Sequence, residues 1–489
     1  MINIQGREVL WDMDFAEKAE NISLQMHAPT RKNVAFFCTE PWEGEFCNYG
    51  SLLYDGEKFR MYYRAAGNNA GVWQEEQGRH YAWCVAYSDD GKTFYKPNLG
   101  MWEFAGSKDN NIFLMDSTRI LDNFAVTYDT NPACPPDEKY KALAQYDDPE
   151  ATFINGLKSH SLLAYYKSAD GIHFTFERIL DLKCAFDSMN YAFWDETLGA
   201  YRLYCRGVHF PDAERIIEYE KEPHVRDIRL SVSKDFVNWS TPQQLDYGAD
   251  DLEVQYYINN VQKYHRANAF IALPTRYIDR EKDAKNYPHL PTIDGFRPML
   301  TEKYGRYGTA ITECAIMTGR DGLHFHRTHE AYLTPGIENN DNWMYGDGFF
   351  ARGIIETQSD FRDEPKELSL FMVRGAGTRT VTFERYTTRM DGFFSWSANF
   401  AGGEVLTKPF TFTGEELTVN FATSALGYLH IVFCDEDGNA IPGYDSGRLF
   451  GNTIARPCDF EKSLADLNGK PVRMRIYLKD AQFYSFCFA

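Results

Sequence analysis

Ser88-Asp89-Asp90-Gly91-Lys92-Thr93-Phe94 recurs along the chain as Ser168-Ala169-Asp170-Gly171-Ile172-His173-Phe174, Ser233-Lys234-Asp235-Phe236-Val237-Asn238-Trp239 and Gly319-Arg320-Asp321-Gly322-Leu323-His324-Phe325. A weaker fifth copy is Arg389-Met390-Asp391-Gly392-Phe393-Phe394. Each copy follows an apolar, β-prone run such as Tyr81–Tyr87 or Leu162–Tyr166. Asp-Gly after such a run marks a tight turn, because glycine reaches positive φ without steric cost. One tag per long interval predicts radial repetition of small antiparallel sheets, which is a β-propeller. Five tags predict five blades.

Working outward, the inner strand of each unit is expected at 48–54, 122–128, 187–194, 253–261 and 343–350. Residues 1–40 read as an N-terminal extension with a short helical stretch over Asp14–Glu20. Residues 211–227 and 278–306 read as insertions between strands. After about residue 395 short alternating strands, separated by turns at Asp437-Gly438 and Asn468-Gly469, predict a β-sandwich. The expected fold class is thus all-β: a five-bladed propeller over 41–394 and a sandwich over 395–489.

The 489 residues suffice for a large and a smaller domain, and 16% are aromatic, as suits pleated sheets. A net charge of −19 argues against nucleic acid and anionic membrane surfaces as partners. Ten cysteines are scattered singly, with no C-x-x-C, which argues against zinc and for a reducing compartment. No long apolar run opens the chain or approaches a membrane span, so a cytoplasmic location is expected. Nucleophile-elbow, H-E-x-x-H, Walker and dinucleotide fingerprints are absent from the sequence.

Inner strands of a propeller line its axis, so their first residues ring one mouth. Asn48, Asp122, Asp187, Glu253 and Trp343 or Asp347 fall at that register. Convergent carboxylates suit glycosidic cleavage, in which one acid protonates the leaving oxygen and a second carboxylate activates water or attacks the sugar. Asp122 and Asp187 are the expected acid and base, with Glu253 as a third carboxylate. Asn48, Arg64, Asn123, Asn190, Arg206, Tyr257, Trp343 and Asp347 are the expected substrate contacts. Glu40 and Glu43 are placed to overhang the mouth. No cofactor is required, although the converging polar groups leave room for a divalent cation on the axis. The sandwich is open to three roles: packing on the propeller, binding carbohydrate, or making a homo-oligomer.

Tyr87-Ser88-Asp89-Asp90-Gly91, Lys96-Pro97-Asn98-Leu99-Gly100, Asp187-Ser188-Met189-Asn190, Phe193-Trp194-Asp195 and Arg320–Arg327 together resemble bacterial proteins described as similar to glycoside hydrolase family 32. The tail Leu478–Phe486 fits the same group. The resemblance implies a propeller followed by a sandwich, and a glycosidase-like site acting on an oligosaccharide or glycoside. The family's own motifs are replaced: Cys47-Asn48-Tyr49-Gly50 stands where Asn-Asp-Pro-Asn belongs, and Leu121-Asp122-Asn123 where Arg-Asp-Pro belongs. Glu313-Cys314 falls in the fourth unit, not the third. A phosphorylase and a non-catalytic sugar-binding protein are the rival readings.

Overall fold

The computed structural model describes residues 2–44, 47–65, 82–115, 121–154, 157–210, 224–280, 284–292, 295–304, 306–376 and 381–489. The charged insertion expected at 211–227 lies mostly outside them. The chain is all-β. Five antiparallel units follow one another, then a large C-terminal sheet. The first unit is Asn48–Tyr54, Phe59–Ala65, Ala82–Ser88 and Ile112–Met115. The second is Leu121–Tyr128, Tyr140–Ile154, Leu157–Ser168 and Thr175–Ile179, and the third Tyr191–Asp195, Ala200–His209, Val225–Ser233 and Gln243–Gln244.

The fourth unit is split into two short sheets, Tyr256–Ile258 with Thr275–Asp279 and Ala310–Cys314, and Val261–Lys263 with Phe270–Ala272, Met317–Gly319 and Phe325–Arg327. The break has local causes. Pro274 has no N–H to give a ladder, and Asn260 takes the left-handed region at φ 45°. In the fifth unit Phe349–Phe350 and Ile355–Thr357 pair with Glu367–Arg374, which pairs with Val381–Thr388. Its outer strand is Thr30–Cys38, from the N-terminal end of the chain.

Each sequence tag follows the third strand of its unit. In the first four the aspartate accepts two backbone N–H groups, as Asp90 does from Lys92 (2.7 Å) and Thr93 (3.1 Å), which closes an Asx turn. The tag then docks on the preceding unit. Tyr62 of the first unit donates its hydroxyl to Gly171 O of the second (3.0 Å), and Tyr204 of the third donates to Gly322 O of the fourth (2.7 Å). The Phe236 ring of the third tag lies 4.8 Å from Tyr165 of the second unit. A Cβ on Gly91 would meet Ile355 of the fifth unit at 2.8 Å. In the fifth copy Asp391 is buried and accepts from Tyr264 (2.7 Å) and Arg266 (2.9 Å) of the fourth unit. Every unit thus leans on the one before it, and the first on the fifth. Backbone bonds strengthen that last junction: Arg352 N donates to Gly50 O (2.9 Å) and Leu52 N to Arg352 O (2.7 Å).

The Asp14–Glu20 stretch of the N-terminal segment is not helical. Ala16–Glu20 is a strand paired with Gly403–Thr407, and Arg7–Val9 and Ser23–Met26 join the same C-terminal sheet. Ala, Glu and Lys favour helix weakly, and strand pairing overrides that preference. Two long strands, Leu417–Cys434 and Arg473–Phe488, pair along their length and carry the sheet. Ile4, Leu10 and Phe15 pack into its core beside Trp396, Phe421 and Phe486. Among the described residues of the 278–306 insertion, Phe296–Tyr304 is helical.

Tag docking predicts a contrast between two glycines that both sit at positive φ. An alanine Cβ at Gly171 would come within 2.5 Å of the Tyr62 hydroxyl, whereas at Gly199 it would meet nothing within 4 Å. Gly171→Ala should cost about 2–3 kcal/mol in urea unfolding, and Gly199→Ala about 1 kcal/mol from backbone strain alone. Equal losses would show that the docking contact is unimportant.

Candidate functional site

At the starts of the first and second inner strands the chain makes the same irregularity. Asn48 pairs with Arg64 before a shift in register, and Asp122 pairs with Gln145 before another. The next residue in each, Tyr49 (φ 56°) and Asn123 (φ 58°), is left-handed. A tyrosine there is uncommon, and a bulge of this kind re-aims a strand end.

Two aspartate–arginine pairs form at this end. Arg64 Nη1 lies 2.6 Å from Asp122 Oδ1, and Arg206 Nη1 lies 3.4 Å from Asp187 Oδ2. Each guanidinium also lies against a tyrosine ring, Arg64 4.3 Å from the centroid of Tyr49 and Arg206 4.2 Å from that of Tyr257. A planar guanidinium can stack on a ring and hold a carboxylate at its edge at once. Arg206 is fixed further by donating to Tyr257 O (2.5 Å). Phe349 stacks between the two tyrosines, 6.0 Å from Tyr49 and 5.9 Å from Tyr257. Both aspartates and Tyr257 act electrostatically on the Tyr49 hydroxyl, whose pKa burial raises well above the usual phenol value. Asp122, Asp187, Arg64, Arg206 and Tyr257 therefore share one site with Tyr49 at its centre. The arginine side chains are buried, the Asp122 side chain is 18% exposed, and that of Asp187 is 63% exposed. Asp187 is the carboxylate that meets solvent.

The other expected residues divide. Asn48 is buried, with both amide atoms lacking a partner among the described residues. Asn123 donates to the side-chain oxygen of Gln145 (2.8 Å), while Asn190 donates to the Phe186 and Ser188 carbonyls and so braces the backbone. The Tyr257 ring is packed among Arg206, Tyr277 and Phe349, and is not an open stacking platform. Trp343 donates its indole N–H to Gly336 O (2.8 Å). Glu253 stands apart in a recess between the third and fourth units. It bonds His209 Nε2 (2.7 Å), whose Nδ1 meets Asp227 (2.8 Å). Hydrogen bonds to Asp227 and then Glu253 raise the His209 pKa. Glu43 does not overhang anything: it is buried and bound by Tyr63 (2.6 Å) and Lys96 (2.7 Å).

Asp347 is fully enclosed and paired with Arg374 (2.7 Å), and burial pushes its carboxyl up to about 6 against that pairing. Its neighbour Tyr345 donates to the Tyr257 hydroxyl (2.6 Å), which ties the fifth unit to the site. Sequence reasoning missed Tyr49, Tyr345 and Arg374. For Arg374 a signal existed, since it lies in the last residues of the second strand of its unit, as Arg64 and Arg206 lie one and three residues before the ends of theirs. Among the described residues, Asp12, Asp14 and His326 are close enough to share a cation, but Asp12 is paired with Arg320 and the group lies where the N-terminal segment meets the outer strand of the fourth unit.

No protein-family model matches the chain, and no curated protein matches it. Solved structures that resemble it include an N-acetylgalactosamine deacetylase from F. plautii in complex with blood group B trisaccharide (10% identity, 76% of this chain and 96% of that one, TM-score 0.43). A family 43 β-1,3-galactosidase resembles it at 9% identity over 87% of this chain and 75% of that one, TM-score 0.42. A glycosyl hydrolase from Bacteroides ovatus does so at 11% identity over 74% and 94%, TM-score 0.39. These likenesses are loose, and no residue role is taken from them.

Asp347 carries a pH prediction. Its folded pKa lies above the ordinary 3.8, so the folded state holds a proton that the unfolded chain has released. The stability tied to that proton is complete below about pH 4 and is lost as pH rises to about 6. The unfolding free energy of wild type minus that of Asp347→Asn should fall by roughly 3 kcal/mol across that window, and stay level above it. A flat difference would show that Asp347 is ionised throughout.

Proposed function

We propose that the five units are the blades of a five-bladed β-propeller, closed by the Thr30–Cys38 strand and followed by a β-sandwich, and that its mouth is a glycoside hydrolase site. One observation carries the functional reading: Asp122 and Asp187, each held by a buried arginine stacked on a tyrosine, flank the Tyr49 hydroxyl. Two fixed carboxyl groups facing one site are what glycosidic cleavage uses, one as acid and the other as base or nucleophile. Asp187, open to solvent, takes the acid's part: in its protonated form it gives the proton to the leaving oxygen, and bulk water resupplies it. Asp122, braced by Arg64, activates water or steadies the positive charge that develops on the sugar ring. Glu253, bonded to His209 in its own recess, has no part in the first contact with the sugar. The substrate is an oligosaccharide or glycoside. Ten unpaired thiols, nine of them buried, go with a reducing compartment.

A phosphorylase is the second reading, favoured by the arginines. Arg226 lies 5.7 Å from the Tyr257 ring that Arg206 also covers, and guanidinium groups grip phosphate well.

Release of sugar from a panel of aryl glycosides and oligosaccharides, with and without phosphate, separates the two. Phosphate-independent release should fall by about 10²- to 10⁴-fold in Asp187→Asn and in Asp122→Asn. Release only with phosphate selects the phosphorylase. Near-normal turnover in either variant would overturn the assignment of that aspartate.

A further inference from the structure

Arg352 is a half-buried cation with no counter-charge among the described residues. It follows the inner strand of the fifth unit, and its backbone is bonded to Gly50 and Leu52 of the first. Its side chain reaches the third unit, where the guanidinium carbon lies 5.1 Å from the ring centroids of both Tyr191 and Phe193. Tyr191 donates to Gly50 O (3.2 Å), so the guanidinium sits where inner strands of the first, third and fifth units meet.

The arginines of the candidate site all have carboxylates, Asp122 for Arg64, Asp187 for Arg206 and Asp347 for Arg374. Arg352 has none among the described residues, and its Nε is buried with no hydrogen-bond partner. Burial lowers its pKa to about 10, and Tyr191 is the sole neighbour acting against that. A guanidinium at that value is still charged at neutral pH. A half-buried charge whose Nε is shut off from water and unpaired is costly, and two aromatic faces offset only part of the cost. Ser51, the ladder partner of Arg352, brings a buried hydroxyl to the same rung.

We infer that a small inorganic anion binds beside Arg352 at the meeting of the first, third and fifth inner strands. A divalent cation at this position would face the positive charge of Arg352, whereas an anion neutralises it. Chloride and inorganic phosphate share the required chemistry. This inference rests on the packing of the units and stands whatever the enzyme's reaction.

Two measurements on the full chain test it. Crystals soaked in sodium bromide should show an anomalous bromine peak in contact with the Arg352 guanidinium. In solution, replacing sodium gluconate by sodium chloride at equal ionic strength should raise Tm by on the order of 1–2 °C, and Arg352→Met should abolish that increment. A rise with phosphate but not chloride, also lost in the variant, keeps the site and makes it one for oxyanions. Bromide peaks only elsewhere, together with equal Tm in gluconate, chloride and phosphate, would overturn the inference.

Discussion

The contact on which the structure depends is the turn of one unit seated on the strands of the unit before it. An aspartate folds the turn, a glycine at positive φ lets it pass close, and a tyrosine hydroxyl of the previous unit takes hold of the glycine carbonyl, as at Tyr62–Gly171 and Tyr204–Gly322. A side chain on either glycine would occupy the place of the tyrosine. The contact therefore fixes both the spacing and the order of the units. Where the fifth must meet the first, backbone bonds between Arg352 and the Gly50–Leu52 stretch and the borrowed Thr30–Cys38 strand complete the arrangement.

The site follows from this packing. Arg64 belongs to the first unit but holds Asp122 of the second, and Arg206 of the third stacks on Tyr257 of the fourth. Phe349 and Tyr345 of the fifth close the group. No single unit contains a complete site. Burying the arginines while leaving Asp187 exposed keeps the cations out of water and one carboxylate in it.

Much of this was legible in the sequence. The tags marked the turns after third strands, because an aspartate that accepts two backbone N–H groups folds such a turn wherever it occurs. The recurrence of polar residues at strand starts brought out Asp122 and Asp187, and the arginines near the ends of second strands brought out Arg64 and Arg206. What was not legible depended on partners distant in sequence. Glu253 has the right register, yet His209 and Asp227 draw it into a separate recess. The Ala16–Glu20 segment has helical composition, but an edge some 380 residues away in the chain claims it as a strand. The fifth tag looked like a surface turn, whereas Asp391 is a buried acceptor for Arg7, Arg266, Tyr264 and Ser485. Tyr49 gave no sign, since its importance lies in a backbone conformation that its residue type disfavours.

The central claim is that sugar is cleaved between Asp122 and Asp187. A crystal structure of the Asp187→Asn protein with an uncleaved oligosaccharide tests it most directly. The account predicts the glycosidic oxygen within hydrogen-bond distance of residue 187, with Asp122 facing the same sugar ring over Tyr49. A saccharide seated instead in the Glu253–His209 recess, with no sugar near Asp122, would contradict it.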